Sequence, residues 1–242
     1  MGFVLNSLDV QLYLLLLNVP ILIQPSVMAA EFVKRFVHLM RSGAKIRMAL
    51  NVVFSGVGGQ GIVVASDIFC EAALLDGFDV AKAEVHGMAQ RGGAIVAHAR
   101  LGEKVQTPLI ERGKADVVLG FEVLETARVL PLLKKEGTVI VNTKYIPPIV
   151  LARGSDRALN QENLLCMIRE RASIVHEIDA LNIAEKLGNT LLVNTIMLGA
   201  LSALPEIPMK KESFEKAITC RLKEKYVKLN LRAFQQGCES VT

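Results

Sequence analysis

The sequence has no cysteines close enough together to share a metal or a cluster. Its four, Cys70, Cys166, Cys220 and Cys238, stand 96, 54 and 18 residues apart, and no CxxC occurs. Zinc ribbons and iron–sulfur clusters take several thiolates at short spacing, so this chain is not expected to build either by itself. Lone cysteines without a secretory pattern read as reduced, buried small hydrophobes. Histidine is equally scarce. His38, His86, His98 and His176 form neither HxH nor HExxH, which argues against a self-contained metalloenzyme. A long apolar run is missing too. The stretch at 12–23 (LYLLLLNVPILI) holds Asn18 and Pro20, whereas a spanning helix needs about 20 apolar residues. No Lys or Arg precedes it, as a signal peptide would require, so a cytoplasmic protein is expected. Residues 30–42 suit a basic amphipathic helix that would favour a membrane surface only weakly.

What is present is a core. The chain has 242 residues, 51% hydrophobic and 21% charged, with a mean hydropathy of +0.37. A chain of this size buries roughly 70% of its unfolded surface, and the composition excludes disorder and a coiled coil. The net charge of +4 suggests a nucleic-acid partner until it is located. Residues 1–47 hold five Lys/Arg against Asp9 and Glu31, leaving 23 basic and 22 acidic residues for 48–242. The body is near neutral, and no nucleic-acid or membrane partner is expected. Met48 is followed almost at once by a strand pattern. Residues 1–47 therefore read as a dispensable extension or a start assigned too far upstream, and a chain beginning at Met48 is expected to fold and to work.

Strand patterns fall at 50–55, 78–83, 94–101, 116–121, 138–143 and 173–178, with 102–103 turning into 105–110 as a hairpin-like insertion. Helical spacing covers 62–75, 122–134, 160–171, 179–187, 190–204 and 213–236. Alternation of this kind predicts an α/β fold: a three-layer α/β/α sandwich, Rossmann-like, with a mostly parallel sheet and one domain over 48–242.

Two glycine-rich motifs carry the chemistry. Gly56-x-Gly58-x-x-Gly61 lies between a strand and a helix. Its first glycine permits a tight turn, its second lets a phosphate approach, and its third lets helix and strand pack closely. Glu84, at the end of the second strand pattern, would be the ribose-binding acid of a dinucleotide site. Gly59 and Gln60 are unusual there, and a turn that merely closes the strand–helix junction fits as well. The second motif, in an expected loop at 84–93, is His86-Gly87-Met88-Ala89-Gln90-Arg91-Gly92-Gly93. Its glycines allow close approach of a ligand or another chain. Arg91 offers a donor fork for a carboxylate or phosphate. His86 is either a proton acceptor or a hydrogen-bonded structural residue. His98 and His176 fall within strands and read as packing residues.

GVGGQGIVVAS, AEVHGMAQRGGAIVAHARLG, TPLI at 107–110, GTVIVNT at 137–143 and NTIMLGALSA at 194–203 together resemble the gamma domain of the 2-oxoacid:ferredoxin oxidoreductases. HGMAQRGG points to the beta subunit of the indolepyruvate branch. The resemblance covers about 48–210, and 1–47 has no counterpart in it. It implies oxidative decarboxylation of a small-molecule 2-oxo acid to an acyl-CoA and CO2, with ferredoxin as electron acceptor and coenzyme A as co-substrate. It further implies an alpha subunit, in a heterodimer or larger assembly, that carries thiamine diphosphate, Mg and [4Fe-4S] clusters. In that picture His86, Gln90 and Arg91 are the catalytic candidates. Arg91 would neutralise the substrate carboxylate or a coenzyme phosphate, and His86 and Gln90 would hydrogen-bond at the thiamine end of the site. Gly56, Gly58, Gly59, Gln60, Gly61, Gly92 and Gly93 would shape a ligand- or partner-facing surface. The alternatives are a gamma subunit acting on pyruvate, 2-oxoisovalerate or 2-oxoglutarate, an NAD(P)-dependent dehydrogenase, and a docking subunit with no residue in the chemistry.

Overall fold

The structure, a computed structural model, describes residues 49–87, 93–146 and 160–241. The segment 1–47 lies outside the described residues, as do Gln90, Arg91 and Gly92 of the second motif and Pro147 and Pro148.

The apolar run at the start of the body forms β1 (Leu50–Val57), a central strand buried on both faces. Next come α1 (Ile62–Leu75), β2 (Asp79–His86), β3 (Ala94–Gly102), β4 (Ala115–Gly120), α2 (Val123–Val129) and β5 (Leu133–Asn142). The remainder comprises α3 (Gln161–Arg171), β6 (Ile174–Ile178), α4 (Ala180–Lys186), α5 (Val193–Ser202), α6 (Lys211–Arg221) and α7 (Glu224–Glu239). The sheet order is β2-β3-β1-β4-β5-β6. β1, β4, β5 and β6 are mutually parallel, whereas β3 runs antiparallel between β1 and β2.

Alternation along the central strands divides the core into two layers. Val52, Phe54, Val117, Leu119 and Ile140 pack under α1 and α4 to α7. On that side Phe54, Phe69, Phe214 and Phe234 form a chain of rings with successive centroids 5.5, 6.2 and 5.8 Å apart. Val53, Val118, Val139 and Val141 pack on the opposite face under α2 and α3. The three-layer α/β/α architecture expected from the alternation is therefore present.

Three local expectations are corrected. The antiparallel hairpin is β2–β3, joined across 87–93, and not 94–101 with 105–110. Residues 105–110 run irregularly along the sheet because side chains hold their backbone instead of a partner strand. Asp79 Oδ2 accepts from the Val105 N–H at 2.8 Å, and Arg100 donates to Thr107 O and Oγ1 at 2.9 and 2.8 Å. The helix expected over 122–134 ends at Val129, where Pro131 enters a short 3-10 turn (Leu130–Leu132) and β5 begins at Leu133. The single helix expected over 213–236 is two, broken at Leu222 and Lys223, whose ψ values are 150° and 140°.

His98 is a packing residue, as expected. It is buried, and its Nδ1 accepts the Ile110 N–H at 3.2 Å. Burial pushes the imidazole pKa below the usual 6.5. The unfolded chain therefore binds a proton that the folded chain resists. This contribution to stability is complete above pH 6.5 and declines as pH falls below it. Replacing His98 by asparagine is expected to flatten the pH dependence of urea unfolding over that window, and parallel curves for the two proteins would refute the assignment.

Candidate functional site

The glycine motif forms the turn from β1 into α1, at the carboxyl ends of the parallel strands. Open α/β sheets bind ligands in this region, where neighbouring connections leave to opposite faces. Gly59 and Gly61 have φ of 98° and 78°, so the chain here requires the left-handed region. Gly61 also abuts Asn194, whose Nδ2 would lie 2.6 Å from a Cβ at that position.

Gln60 folds back into its own turn. Its Oε1 accepts the Val57 N–H at 2.7 Å, and its Nε2 donates to Phe121 O at 3.1 Å. The folded-back amide also explains Gly56, where a Cβ would lie 2.6 Å from Gln60 Oε1. Gln60 thus closes the turn rather than offering its amide to a ligand. Gln60→Ala removes the partner of the Val57 N–H and one of the two amides that donate to Phe121 O, and is expected to cost about 1–2 kcal/mol in denaturant unfolding. An unchanged midpoint would mean that the amide bonds contribute nothing.

The two motifs meet. Gly58 N–H donates to Gly93 O at 2.8 Å, stapling the glycine turn to the end of the second motif. Gly87 N–H donates to Ala94 O at 2.8 Å and closes the base of the β2–β3 loop. His86 is the last residue of β2, not a loop residue, and its side chain is exposed. In register, His86 faces Ile95, and Ile95 faces Gly56 on the other side. His86 and the glycine turn therefore share one face and one end of the sheet, about 10 Å apart across β3.

A cleft of about 400 Å³ opens beside the turn, lined by residues that include Gly59, Gly61, Asn142, Lys144, Thr190 and Asn194. Exposed Leu191 stands at its rim. The open end of α1 and the Lys144 ammonium give this cleft a preference for negative charge. Its walls are held by two buried polar residues that sequence reasoning missed. Glu122 caps α2 by accepting the Glu125 N–H at 2.8 Å and also accepts the Ile146 N–H at 2.9 Å. Asn142 donates to Phe121 O at 3.1 Å and accepts from Ala180 N–H at 3.2 Å. Both stand where a buried strand run meets a polar residue at its carboxyl end, a signal legible in the sequence.

The dinucleotide reading loses its acid here. β3 lies between β1 and β2, so Glu84 is two strands away from the glycine turn. Its carboxylate is engaged instead by Lys82 at 2.7 Å and His86 at 3.1 Å. The Lys82 ammonium and the His86 ring hold its pKa below the usual carboxylate range. The expectation for the cysteines is half corrected. Cys70 and Cys238 are buried, with burial pushing the Cys70 thiol up to about 12, whereas Cys166 and Cys220 are exposed. Among the described residues, no group of three or more His, Cys, Asp or Glu is placed to hold a metal ion. No helix among them is long and apolar enough to cross a membrane.

The family model described as pyruvate ferredoxin/flavodoxin oxidoreductase matches residues 51–240. The chain belongs to this family. It is similar to the indolepyruvate oxidoreductase subunit IorB of Methanothermobacter thermautotrophicus, with 41% identity over 190 residues, covering 78% of this chain and 96% of that protein. The pyruvate/ketoisovalerate oxidoreductases common subunit gamma of Thermococcus litoralis is 31% identical over 193 residues, covering 78% and 96%. Among solved structures, the gamma subunit of a keto/oxoacid ferredoxin oxidoreductase from Geobacter sulfurreducens superposes with a TM-score of 0.59. It is 27% identical and matches over 79% of this chain and 98% of that one. These relatives are subunits of multi-subunit oxidoreductases, and the family member described here is an oxidoreductase subunit of the same kind.

Proposed function

We propose that this family member is the beta subunit of an indolepyruvate (arylpyruvate):ferredoxin oxidoreductase, working in the cytoplasm with an alpha subunit. The observation that carries the reading is the 41% identity to an IorB subunit over 96% of its length, against 31% to the pyruvate/ketoisovalerate gamma subunit. The reaction consumes an aryl 2-oxo acid and coenzyme A and yields an aryl-acetyl-CoA and CO2, with the two electrons passing to ferredoxin. Thiamine diphosphate, held with Mg and [4Fe-4S] clusters on the alpha subunit, would supply the electron sink for decarboxylation.

This chain's part is to complete the site. Gly56, Gly58, Gly59 and Gly61 shape a turn narrow enough for an anionic ligand or the partner's backbone to approach, while Gln60 keeps that turn closed. Gly92 and Gly93 belong to the same ligand- or partner-facing surface. Arg91 binds the substrate carboxylate or a coenzyme phosphate. His86 and Gln90 hydrogen-bond at the reacting end of the oxo acid. Residues 48–242 form the working unit, and 1–47 are dispensable.

The test is anaerobic co-expression with an alpha subunit bearing thiamine and cysteine-cluster motifs, followed by assay of CoA-dependent reduction of ferredoxin or viologen. Indolepyruvate and phenylpyruvate are expected to exceed pyruvate, 2-oxoisovalerate and 2-oxoglutarate in kcat/KM. A preference for any of the latter would move the chain to the gamma subunits of those enzymes. Nicotinamide reduction by the isolated chain would sink the proposal altogether.

A further inference from the structure

We infer that Glu84 is a positioning residue that fixes the tautomer and direction of the His86 ring, held in place by a chain of alternating charges that runs through Lys82 and Asp67 to Arg221. The inference rests on the assignment of His86 to the site. Lys82, Glu84 and His86 occupy alternate positions on β2 and so share one face of the strand. Opposite them in register stand Ala99, Ala97 and Ile95 of β3. The two alanines leave room for the long side chains to lie along the sheet.

The contacts run in one direction. Arg221, at the end of α6, pairs with Asp67 of α1, and Asp67 also pairs with Lys82. Lys82 Nζ reaches Glu84 Oε1 at 2.7 Å, and Glu84 Oε2 reaches His86 Nε2 at 3.1 Å. Each oxygen of Glu84 thus has its own partner. A carboxylate only accepts, so the ring nitrogen facing it must carry the proton. In the neutral ring, Nδ1 is then the one acceptor left, and it has no hydrogen-bond partner among the described residues. Asp67 and Arg221 hold Lys82 against two helices, and Lys82 holds Glu84 against rotation. This matches the way a carboxylate behind a catalytic or metal-bound histidine sets its working nitrogen. Arg221, Asp67, Lys82 and Glu84 are the charged groups connected to His86 from α6, α1 and β2.

The experiment is a mutant cycle in the assembled enzyme. Glu84→Ala is expected to lower kcat about tenfold while leaving KM for the oxo acid within about twofold. Glu84→Gln, which retains an oxygen for the Nε2–H, should recover part of the loss. Against a His86→Ala background, Glu84→Ala should cost nothing more, because its effect passes through the ring. A full additional loss in that background overturns the inference, as does normal kcat for Glu84→Ala where His86→Ala is impaired. Normal turnover by His86→Ala alone removes both His86 from the site and the inference built on it. If Glu84→Ala fails to assemble, long-range 1H–15N spectra of the full chain read the tautomer directly. The Nε2–H form should dominate in the parent and mix with the Nδ1–H form in the variant, and identical populations would overturn the inference.

Discussion

Leucine in place of Gly237 is expected to lower the melting temperature by about 10 °C or more. Gly237 on α7 and Gly199 on α5 sit where the two helices touch backbone to backbone. A Cβ on Gly237 would lie 1.9 Å from Ile196 O, and one on Gly199 would lie 2.0 Å from Phe234 O. Both obstacles are main chain, so no rotamer change relieves the overlap and the helices must separate. Separation pulls Phe234 away from Phe214, at the end of the ring chain that begins on β1. Overpacking alone costs about 1–3 kcal/mol, and the opened core adds to it, for a total of about 4 kcal/mol. At roughly 2–4 °C per kcal/mol for a domain of this size, the shift is large enough to read by calorimetry. Gly77 provides the control: its φ is positive, 83°, so a side chain there is strained, but nothing lies within 4 Å of its Cβ position. Gly77→Ala should therefore cost only about 1 kcal/mol. A melting temperature for Gly237→Leu no lower than that of Gly77→Ala would show that the helices do not meet as described.

Arg91→Ala, in an enzyme that still assembles, is expected to lose about 100-fold or more in kcat/KM. Removing one partner of a desolvated, hydrogen-bonded charge pair costs about 2–5 kcal/mol, and each 1.36 kcal/mol is tenfold. The co-substrate whose KM rises identifies the anion. A rise for the oxo acid means that Arg91 binds its carboxylate, and a rise for coenzyme A means that it binds a phosphate. Arg91→Lys retains the charge but not the planar fork, so it should recover only part of the loss. Unchanged turnover and unchanged Michaelis constants in the assembled variant would remove Arg91 from the site.

The parts of the fold governed by local rules were legible in the residues. The apolar pattern of Leu50–Val57 announced a buried strand, and the glycines after it announced the entry to α1. Asn160 and Asp179 cap α3 and α4 by accepting the N–H groups of Glu162 and Asn182, beside the boundaries that periodicity placed. The family was legible as a resemblance, carried by the pairing of GVGGQG with HGMAQRGG and by the segments around them. The misreadings have a common source. Nothing in the 213–236 run, which has no glycine or proline, breaks a helix locally. The break at Leu222 and Lys223 arises because Phe214 on α6 and Phe234 on α7 must both reach the same side of the core. The hydrogen bonds of Gln60 within its own turn were not legible, because one partner, Phe121 O, lies 61 positions away in the chain.

By itself the sequence determined most of the strands and helices, the glycine-rich turn from β1 into α1, and the resemblance to the family. It also showed that the cysteines lie too far apart in the chain for closely spaced thiolates. Only the tertiary structure decided that β3 lies between β1 and β2, which separates Glu84 from the glycine turn and gives it to His86. It alone brought Gly58 to Gly93 and opened the cleft beside Lys144. Every strand offers the same ladder of N–H and C=O groups, so its neighbour is chosen by which apolar faces can be buried together. That choice depends on the whole core and not on any one segment.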